Sequence, residues 1–235
     1  MPLTRYGFRE CLLITAGCAV GAIVAIFFAL WWLLGPIIVI WLALLAFFRD
    51  PIRSRPAGLG PDDALSPADG TISAVEHVDH HEATGGPAVI VRIFLSVLNV
   101  HVNRVPVDGE VVDLIYRPGE FRDARSEASA RVNESNLIVL QTAYGERIGV
   151  RQVSGAIARR IVCDLKTGQR VHRGAKFGMI KFGSTTELIL PRPQEVTVHV
   201  GKGDRVRGGI TILTTLPAPA SESASVSADA SASSG

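Results

Sequence analysis

Residues 177–191, FGMIKFGSTTELILP, contain two apolar runs that are separated by the triplet Gly183-Ser184-Thr185. Both runs are rich in β-branched or aromatic residues and are bounded by glycine or proline, which predicts two buried β-strands. A glycine inside a strand pattern usually marks a bulge or a bend. The triplet interrupts what could have been one continuous strand, and the reason for the interruption has to be sought in the rest of the sequence.

The surrounding region, residues 66–216, consists of short alternating runs punctuated by turns, which predicts a mainly β fold. One short stretch, residues 156–165, has helical spacing instead. TGQRVHRGA (167–175) and KGDRVRGGI (202–210) share Gly, Arg, Val and Gly at an offset of 35 residues. Each copy predicts a turn followed by a strand, as in two related halves of a barrel-sandwich-like β domain.

The N-terminal region contains an uncharged apolar segment of 37 residues, 12–48. One helix of that length would extend about 55 Å, well beyond a hydrocarbon core of about 30 Å. Gly35-Pro36 is a natural breaker, so the segment predicts two helices, 12–34 and 36–48, that form a membrane hairpin. Arginines flank both ends, which predicts a cell (inner) membrane protein whose β domain faces the cytoplasm.

The composition limits the remaining possibilities. A net charge of +2 without a long basic run does not suggest nucleic acid as a partner, and three unpaired cysteines indicate neither a disulfide framework nor a metal site. Residues 217–235 are almost all Ala and Ser, which predicts a disordered tail. We therefore divide the chain into a membrane-anchoring hairpin (1–55), a β-rich domain (56–216) that carries the motifs described next, and the tail.

Three short motifs contain residues that are able to do chemistry. Asp69 lies in the turn SPADG, His101 lies in the strand pattern VHVNRV, and Ser184 lies in the Gly-Ser-Thr triplet. In the second motif, alternation places His101, Asn103 and Val105 on one face. A serine nucleophile needs a base, and the base needs an orienting partner, so Asp69, His101 and Ser184 form one candidate set.

The membrane-anchored β domain, with SPADG, NVHVNRVP and KFGSTTELILP in this order, resembles the short form of the phosphatidylserine decarboxylase family. The resemblance covers nearly the whole chain except the tail. It implies self-cleavage between Gly183 and Ser184, which gives a large chain, 1–183, and a small chain that begins with a pyruvoyl group made from Ser184. It also implies that this cofactor forms a Schiff base with phosphatidylserine in the membrane and yields phosphatidylethanolamine. The oligomeric state stays open, a homo-oligomer included.

The central motif departs from the longer members of the family, which have Tyr-His-Arg-x-His-x-Pro. Here HVNRVP retains the first histidine as His101, and Arg104 stands where the second would be. A guanidinium pairs well with phosphate or carboxylate, which makes Arg104 a candidate substrate-binding residue. The alternative to an enzyme is a barrel-sandwich carrier or an adaptor subunit of a membrane assembly. Lys181 is the candidate lysine for modification in a carrier.

Overall fold

The computed structural model describes residues 2–122, 132–155, 160–181 and 184–217. The predicted tail, from residue 218 onward, lies outside the described residues, as do Phe182 and Gly183 of the opening motif. A helical hairpin precedes a β domain, so the structure confirms the predicted mainly β class with N-terminal helices.

The hairpin consists of two helices, α1 (Phe8–Phe27) and α2 (Leu34–Phe47), with 3-10 turns before them at Arg5–Gly7 and Trp31–Leu33. The break predicted at Gly35-Pro36 is wrong. The chain turns at Ala29, which has a φ of 55°, and the N–H of Leu30 donates to the carbonyl of Ala25 at 2.7 Å. This 6→1 bond closes α1, whereas Gly35 and Pro36 lie in the first turn of α2, where proline needs no helical partner.

The hairpin exposes a mostly apolar surface, including Phe27, Trp31, Trp32 and Val39. The helical stretch Arg5–Phe27 is long and apolar enough to cross a membrane, whereas the stretch Trp31–Phe47 is shorter. Between the helices the indole N–H of Trp41 donates to the Thr15 hydroxyl at 3.1 Å. An exposed apolar surface of this size is unusual for a helix in water and fits contact with lipid.

The β domain contains short and long strands, and each pairing between the strands named here is antiparallel. The strands are β1 (Asp63–Leu65), β2 (Gly70–His81), β3 (Gly86–Leu95), β4 (Val102–Arg104), β5 (Gly109–Arg117), β6 (Ser135–Gln141), β7 (Arg147–Val153), β8 (Ile161–Cys163), β9 (Arg170–Val171), β10 (Lys176–Ile180), β11 (Ser184–Pro191), β12 (Thr197–Val198), β13 (Arg205–Val206) and β14 (Ile212–Thr215). The helix predicted at residues 156–165 is wrong where it is described, because the β-branched pair Ile161-Val162 joins strand β8. Residues 156–159 lie outside the described residues.

One large sheet and two small ones enclose the core. The large sheet has the order β13-β2-β3-β11-β7-β6-β5-β9 and curls into a half-barrel. The small sheets have the orders β1-β14-β12 and β4-β10-β8. The main core contains Val91 and Leu188 from the large sheet and Phe177 and Leu213 from the small ones. On the opposite face of β11, the buried Glu187 carboxylate accepts from both Arg92 and Arg151.

The sequence echo corresponds to the two edges of the large sheet. Its Arg-Val pairs form β9 and β13, which are the outermost strands on either side. Gly168 and Gly203 precede these strands, Gly174 and Gly209 follow them, and all four have a positive φ, which glycine adopts without strain. The two copies therefore adopt the same turn and strand, as predicted.

The Gly-Ser-Thr interruption lies where the chain passes from one sheet to another. β10 belongs to the β4-β10-β8 sheet, and β11 runs through the middle of the large sheet. Ser184 is the first residue of β11. The two apolar runs are therefore two strands in different sheets, and residues 181–183 connect them.

The two ends of the hairpin meet on the β domain. The Thr4 N–H donates to the carbonyl of Phe48 at 2.8 Å, and the Asp50 N–H donates to that of Pro2 at 2.9 Å. Tyr6 and Phe48 are buried in a second apolar cluster together with Met179 of β10 and its neighbours Val100 and Val102. The hairpin is therefore packed into the β domain at its base rather than linked to it by a free segment.

A matched pair of glycine variants tests the role of the two turns. A Cβ at Gly209 would lie 2.7 Å from Cδ of Arg104, whereas one at Gly174, the equivalent glycine of the other copy, meets open space. Gly174→Ala should cost about 1–2 kcal/mol for its left-handed backbone. Gly209→Ala should cost more, because Arg104 must also move. Denaturant unfolding in detergent measures both losses, and equal losses would contradict the crowding at Gly209.

Candidate active site

Ser184 is fully buried at the start of β11, opposite Leu95 of β3. Its hydroxyl oxygen, Oγ, has no hydrogen-bond partner among the described residues. A buried hydroxyl without a partner costs free energy, so most buried hydroxyls are paired. An unpaired serine that directly follows the connection between two sheets is therefore a candidate reactive group. Gly183, the other half of the predicted cleavage site, lies outside the described residues.

His101 directly precedes β4, is fully buried, and has a defined tautomer. Its Nδ1 lies 3.0 Å from the carbonyl oxygen of Asn99. A carbonyl only accepts, so Nδ1 carries the proton and Nε2 carries a free lone pair. Nε2 is buried and has no partner in the part of the chain that the structure describes.

Burial lowers the pKa of His101 from its usual value to about 4. The bond to Asn99 raises it, the nearby charge of Arg49 lowers it, and the charge of Asp69 raises it slightly. The imidazole is therefore neutral at pH 7. A neutral imidazole with a free Nε2 is able to accept a proton, which is the property a general base needs.

A buried polar network joins the strand of His101 to the strand of Ser184. Asn103 donates through Nδ2 to the Thr186 hydroxyl at 3.1 Å and accepts through Oδ1 from the Gln152 side chain at 2.9 Å. Asn103 and Thr186 each lie two residues after a candidate residue, on the same strand face by alternation. The predicted alternation is visible in the packing, since Val105 lies in the main core and Val102 in the cluster under the hairpin.

Asp69 lies on the same side of the domain, but its carboxylate has other partners. Arg53 contacts both of its oxygens, with one bond of 2.7 Å, and the Gly208 N–H donates to it at 2.8 Å. His101 forms no hydrogen bond with Asp69, and the Asn99 carbonyl orients its ring instead. Asp69 acts on the imidazole through its charge alone. Its assignment to the catalytic set stays a prediction.

Comparisons with known proteins place the chain in a family. The sequence profile described as phosphatidylserine decarboxylase matches residues 42–214. The phosphatidylserine decarboxylase proenzyme of Wolbachia sp. subsp. Brugia malayi is 44% identical over 174 residues, which cover 72% of this chain and 74% of that protein. The proenzyme of Rhodopirellula baltica is 40% identical over 216 residues, 91% of this chain and 88% of that protein. The chain belongs to the phosphatidylserine decarboxylase family.

The family match includes all three candidate residues and begins inside α2. The match therefore leaves out α1 and most of α2, and it includes the end of α2 and the segment that follows. Four residues at the end of the hairpin contact the site or the groups around it. We call them the exit segment: Phe47, Arg49, Asp50 and Arg53.

Each exit-segment residue has a different partner. The Phe47 ring lies 4.3 Å from the His101 ring, centroid to centroid. The Arg49 guanidinium donates to the carbonyl of Leu98, next to the Asn99 that orients His101. Asp50 accepts from Lys176 at 2.6 Å, and Arg53 binds Asp69. The sequence offered only one signal for these contacts, the charges that follow the apolar segment, and we interpreted those as membrane flanks.

Arg104, the decarboxylase residue at the position of the second histidine, is buried. Its guanidinium donates to the carbonyl of Gly174 at 3.0 Å and to that of Pro51 at 3.4 Å, and it lies 3.7 Å from Asp50. It thus connects the exit segment to a turn of the sequence echo. Its role in substrate binding stays a prediction, and in this structure the guanidinium already has these protein partners.

Two further features bear on the alternatives. Lys181, the lysine considered for a carrier, is buried and its Nζ lies 2.5 Å from Glu10 of α1. A lysine that is modified in a carrier must instead be exposed at a turn. The described residues contain no group of three or more His, Cys, Asp or Glu side chains that could hold a metal ion.

The contact between Phe47 and His101 predicts a change in pH dependence. Phe47→Ala should admit water to the imidazole and raise its pKa from about 4 toward the usual value. Phe47→Leu, the control, should keep most of the burial. Because the base must be neutral, self-cleavage of freshly made precursor should slow at a higher pH in the alanine variant than in the wild type.

The measurement is the cleavage rate as a function of pH. If the pH profile of the rate shifted equally in the alanine and leucine variants, burial by the Phe47 ring would not determine the protonation state of His101. The same linkage affects folding: the lowered pKa contributes stability above the usual pKa of histidine, and this contribution is lost as the pH falls through about 4.

Proposed function

We infer that this chain is the proenzyme of a phosphatidylserine decarboxylase, which converts phosphatidylserine to phosphatidylethanolamine. Family membership and relatives named as proenzymes over most of the chain support the activity. The observation that carries the inference is a pair of buried atoms, Oγ of Ser184 and Nε2 of His101, that have no partner among the described residues. They are a nucleophile and a base on strands that one hydrogen-bond network joins.

The proposed maturation begins at these two atoms. Nε2 of His101 takes the proton of the Ser184 hydroxyl, and the oxygen attacks the carbonyl carbon of Gly183. The amide nitrogen of Ser184 then takes a proton and leaves that carbon, so an ester replaces the amide. Removal of the Ser184 α-proton and departure of the ester carboxylate separate the chains. The products are residues 1–183 and a small chain whose N-terminal dehydroalanine takes up water and loses ammonia to become a pyruvoyl group.

The site fits a pyruvoyl group because Ser184, its source, is fully buried and not on a solvated loop. Its hydroxyl and Nε2 of His101 are not hydrogen-bonded to each other in this structure, so the proposed proton transfer requires them to approach. A pyruvoyl carbonyl supplies an electron-accepting centre for an amine substrate that loses CO2. Ser184 fixes the position of the group in the chain, and the hydrophobic surroundings of His101 exclude water. Protonated His101 would be a stronger acid than an ordinary imidazolium because its pKa is lowered, which suits delivery of a proton to the product carbon.

The proposal also includes the membrane. Arg5 and Arg9 precede the apolar segment, and Arg49, Arg53 and Arg55 follow it, so the positive-inside rule places both flanks and the β domain on the cytoplasmic side of the cell membrane. The exposed apolar hairpin supports insertion. The division at residues 55 and 216 and a homo-oligomeric assembly stay predictions.

A matched pair of serine variants tests the maturation. Ser184→Ala should leave one intact, inactive chain, because the nucleophile and the source of the pyruvoyl group are both lost. Ser154→Ala is the control, because Ser154 is also buried with an unpartnered hydroxyl and follows Val153, the strand partner of Thr185. It should mature normally. Mass spectrometry of the purified proteins measures the chains.

Two chains from the Ser184→Ala variant would contradict the assignment of the cleavage site. An intact wild-type chain that decarboxylates phosphatidylserine would contradict the requirement for cleavage.

A further inference from the structure

A cavity of about 340 Å³ lies at the base of α1, where the helix meets β8 and the end of β10. Its wall includes Arg5, Arg9 and Glu10 from the start of the hairpin and Arg160 and Lys181 from the β domain. Neither the candidate catalytic residues nor the exit segment lines it. The proposed maturation therefore does not account for it.

The lining of this cavity, which we call the basal cavity, carries an excess of positive charge. Two of its cations have partners: Arg5 lies 2.9 Å from Asp164, and Lys181 lies 2.5 Å from Glu10. Arg9 and Arg160 form no ion pair within the described residues, and both are exposed. Two guanidinium groups are therefore available to an anion, and the positive end of α1 adds to the same potential.

Insertion of the hairpin into a membrane would place the basal cavity at the depth of a lipid phosphate. Arg5–Phe27 is the stretch able to cross a membrane, so its first turn would lie where the apolar layer gives way to headgroups. The cavity is also close to the proposed chemistry, because Lys181 in its wall precedes Ser184 by three residues, at most about 11 Å along the chain.

We propose that the basal cavity binds the phosphate of the phospholipid substrate, with Arg9 and Arg160 as its ligands. A guanidinium matches two phosphate oxygens with two parallel N–H donors. Phosphate held there would leave the serine headgroup on the side of Ser184 and the acyl chains along α1. The ion pair between Lys181 and Glu10 holds the wall between cavity and connection. This inference rests on the proposed function, and it assigns to other arginines the role first predicted for Arg104.

Binding to the precursor tests the cavity without requiring activity. The protein is the full-length Ser184→Ala chain in neutral detergent, and the probe is a short-chain phosphatidylserine below its critical micelle concentration. Isothermal titration should show that the double variant, Arg9→Gln with Arg160→Gln, has a dissociation constant for this lipid at least tenfold higher than that of the parent. The control, Arg147→Gln with Arg205→Gln, removes two other exposed arginines and should stay within twofold of the parent.

The processed enzyme supplies the second readout. On the same soluble substrate, Arg9→Gln with Arg160→Gln should raise KM about tenfold, leave kcat within twofold and leave self-cleavage complete. An unchanged KM and dissociation constant would overturn the proposal. Activity can also be measured on phosphatidylserine in vesicles that contain phosphatidylglycerol. If the double variant lost activity only on these vesicles, the proposal would likewise be overturned, because the arginines would then bind only the membrane surface. A wild type that binds the probe and never decarboxylates it would contradict the proposed function and not the cavity.

Discussion

The ring of Phe47 packs at 4.3 Å against the imidazole of His101, and this contact connects the N-terminal helical hairpin to the proposed chemistry. Phe47 is the last residue of α2, so the end of this helix forms one wall of the histidine's environment. Burial lowers the pKa of His101 to about 4 and keeps the ring neutral. The Asn99 carbonyl selects the tautomer whose Nε2 is free. Both requirements of a general base are therefore met before any substrate is present.

The arrangement of the sheets is compatible with the proposed cleavage at Ser184. A serine within a continuous strand would have its backbone fixed on both sides by ladder hydrogen bonds. Ser184 instead begins β11 immediately after the connection from β10, which belongs to another sheet. Cleavage before Ser184 would leave the strand pairings of β10 and β11 intact, so the two product chains should remain associated through the pairing of β11 with β3 and β7.

Much of this arrangement could be predicted from the sequence, because it depends on local patterns. Alternation in VHVNRV placed His101 and Asn103 on one face, and the echo of Gly, Arg, Val and Gly predicted two equivalent turns. The hairpin turn was misplaced, because the Gly35-Pro36 pair that breaks a helix interior is tolerated in a first turn. The residues at 161–163 form a strand because β10 pairs with them, which no local pattern reports.

The partners of the site residues could not be predicted, because they come from distant parts of the chain. Sequence alone favoured Asp69 as the partner of His101, but the carboxylate is held by Arg53, a residue interpreted as a membrane flank. Arg104 was predicted to bind substrate, and it is buried between the exit segment and Gly174. These are contacts between charged groups with many sequence-compatible partners, and only the packing of the hairpin base selects among them.

The most direct test of the account is whether the β domain can cleave itself without the exit segment. Two chains should be compared by intact-mass spectrometry: residues 56–235, and a full chain in which a short polar linker replaces residues 12–44. Circular dichroism should first establish that both retain β structure. The chain with the linker should cleave itself, and the chain beginning at residue 56 should stay intact. Cleavage of residues 56–235 at the full-length rate would contradict the claim that the hairpin base completes the site.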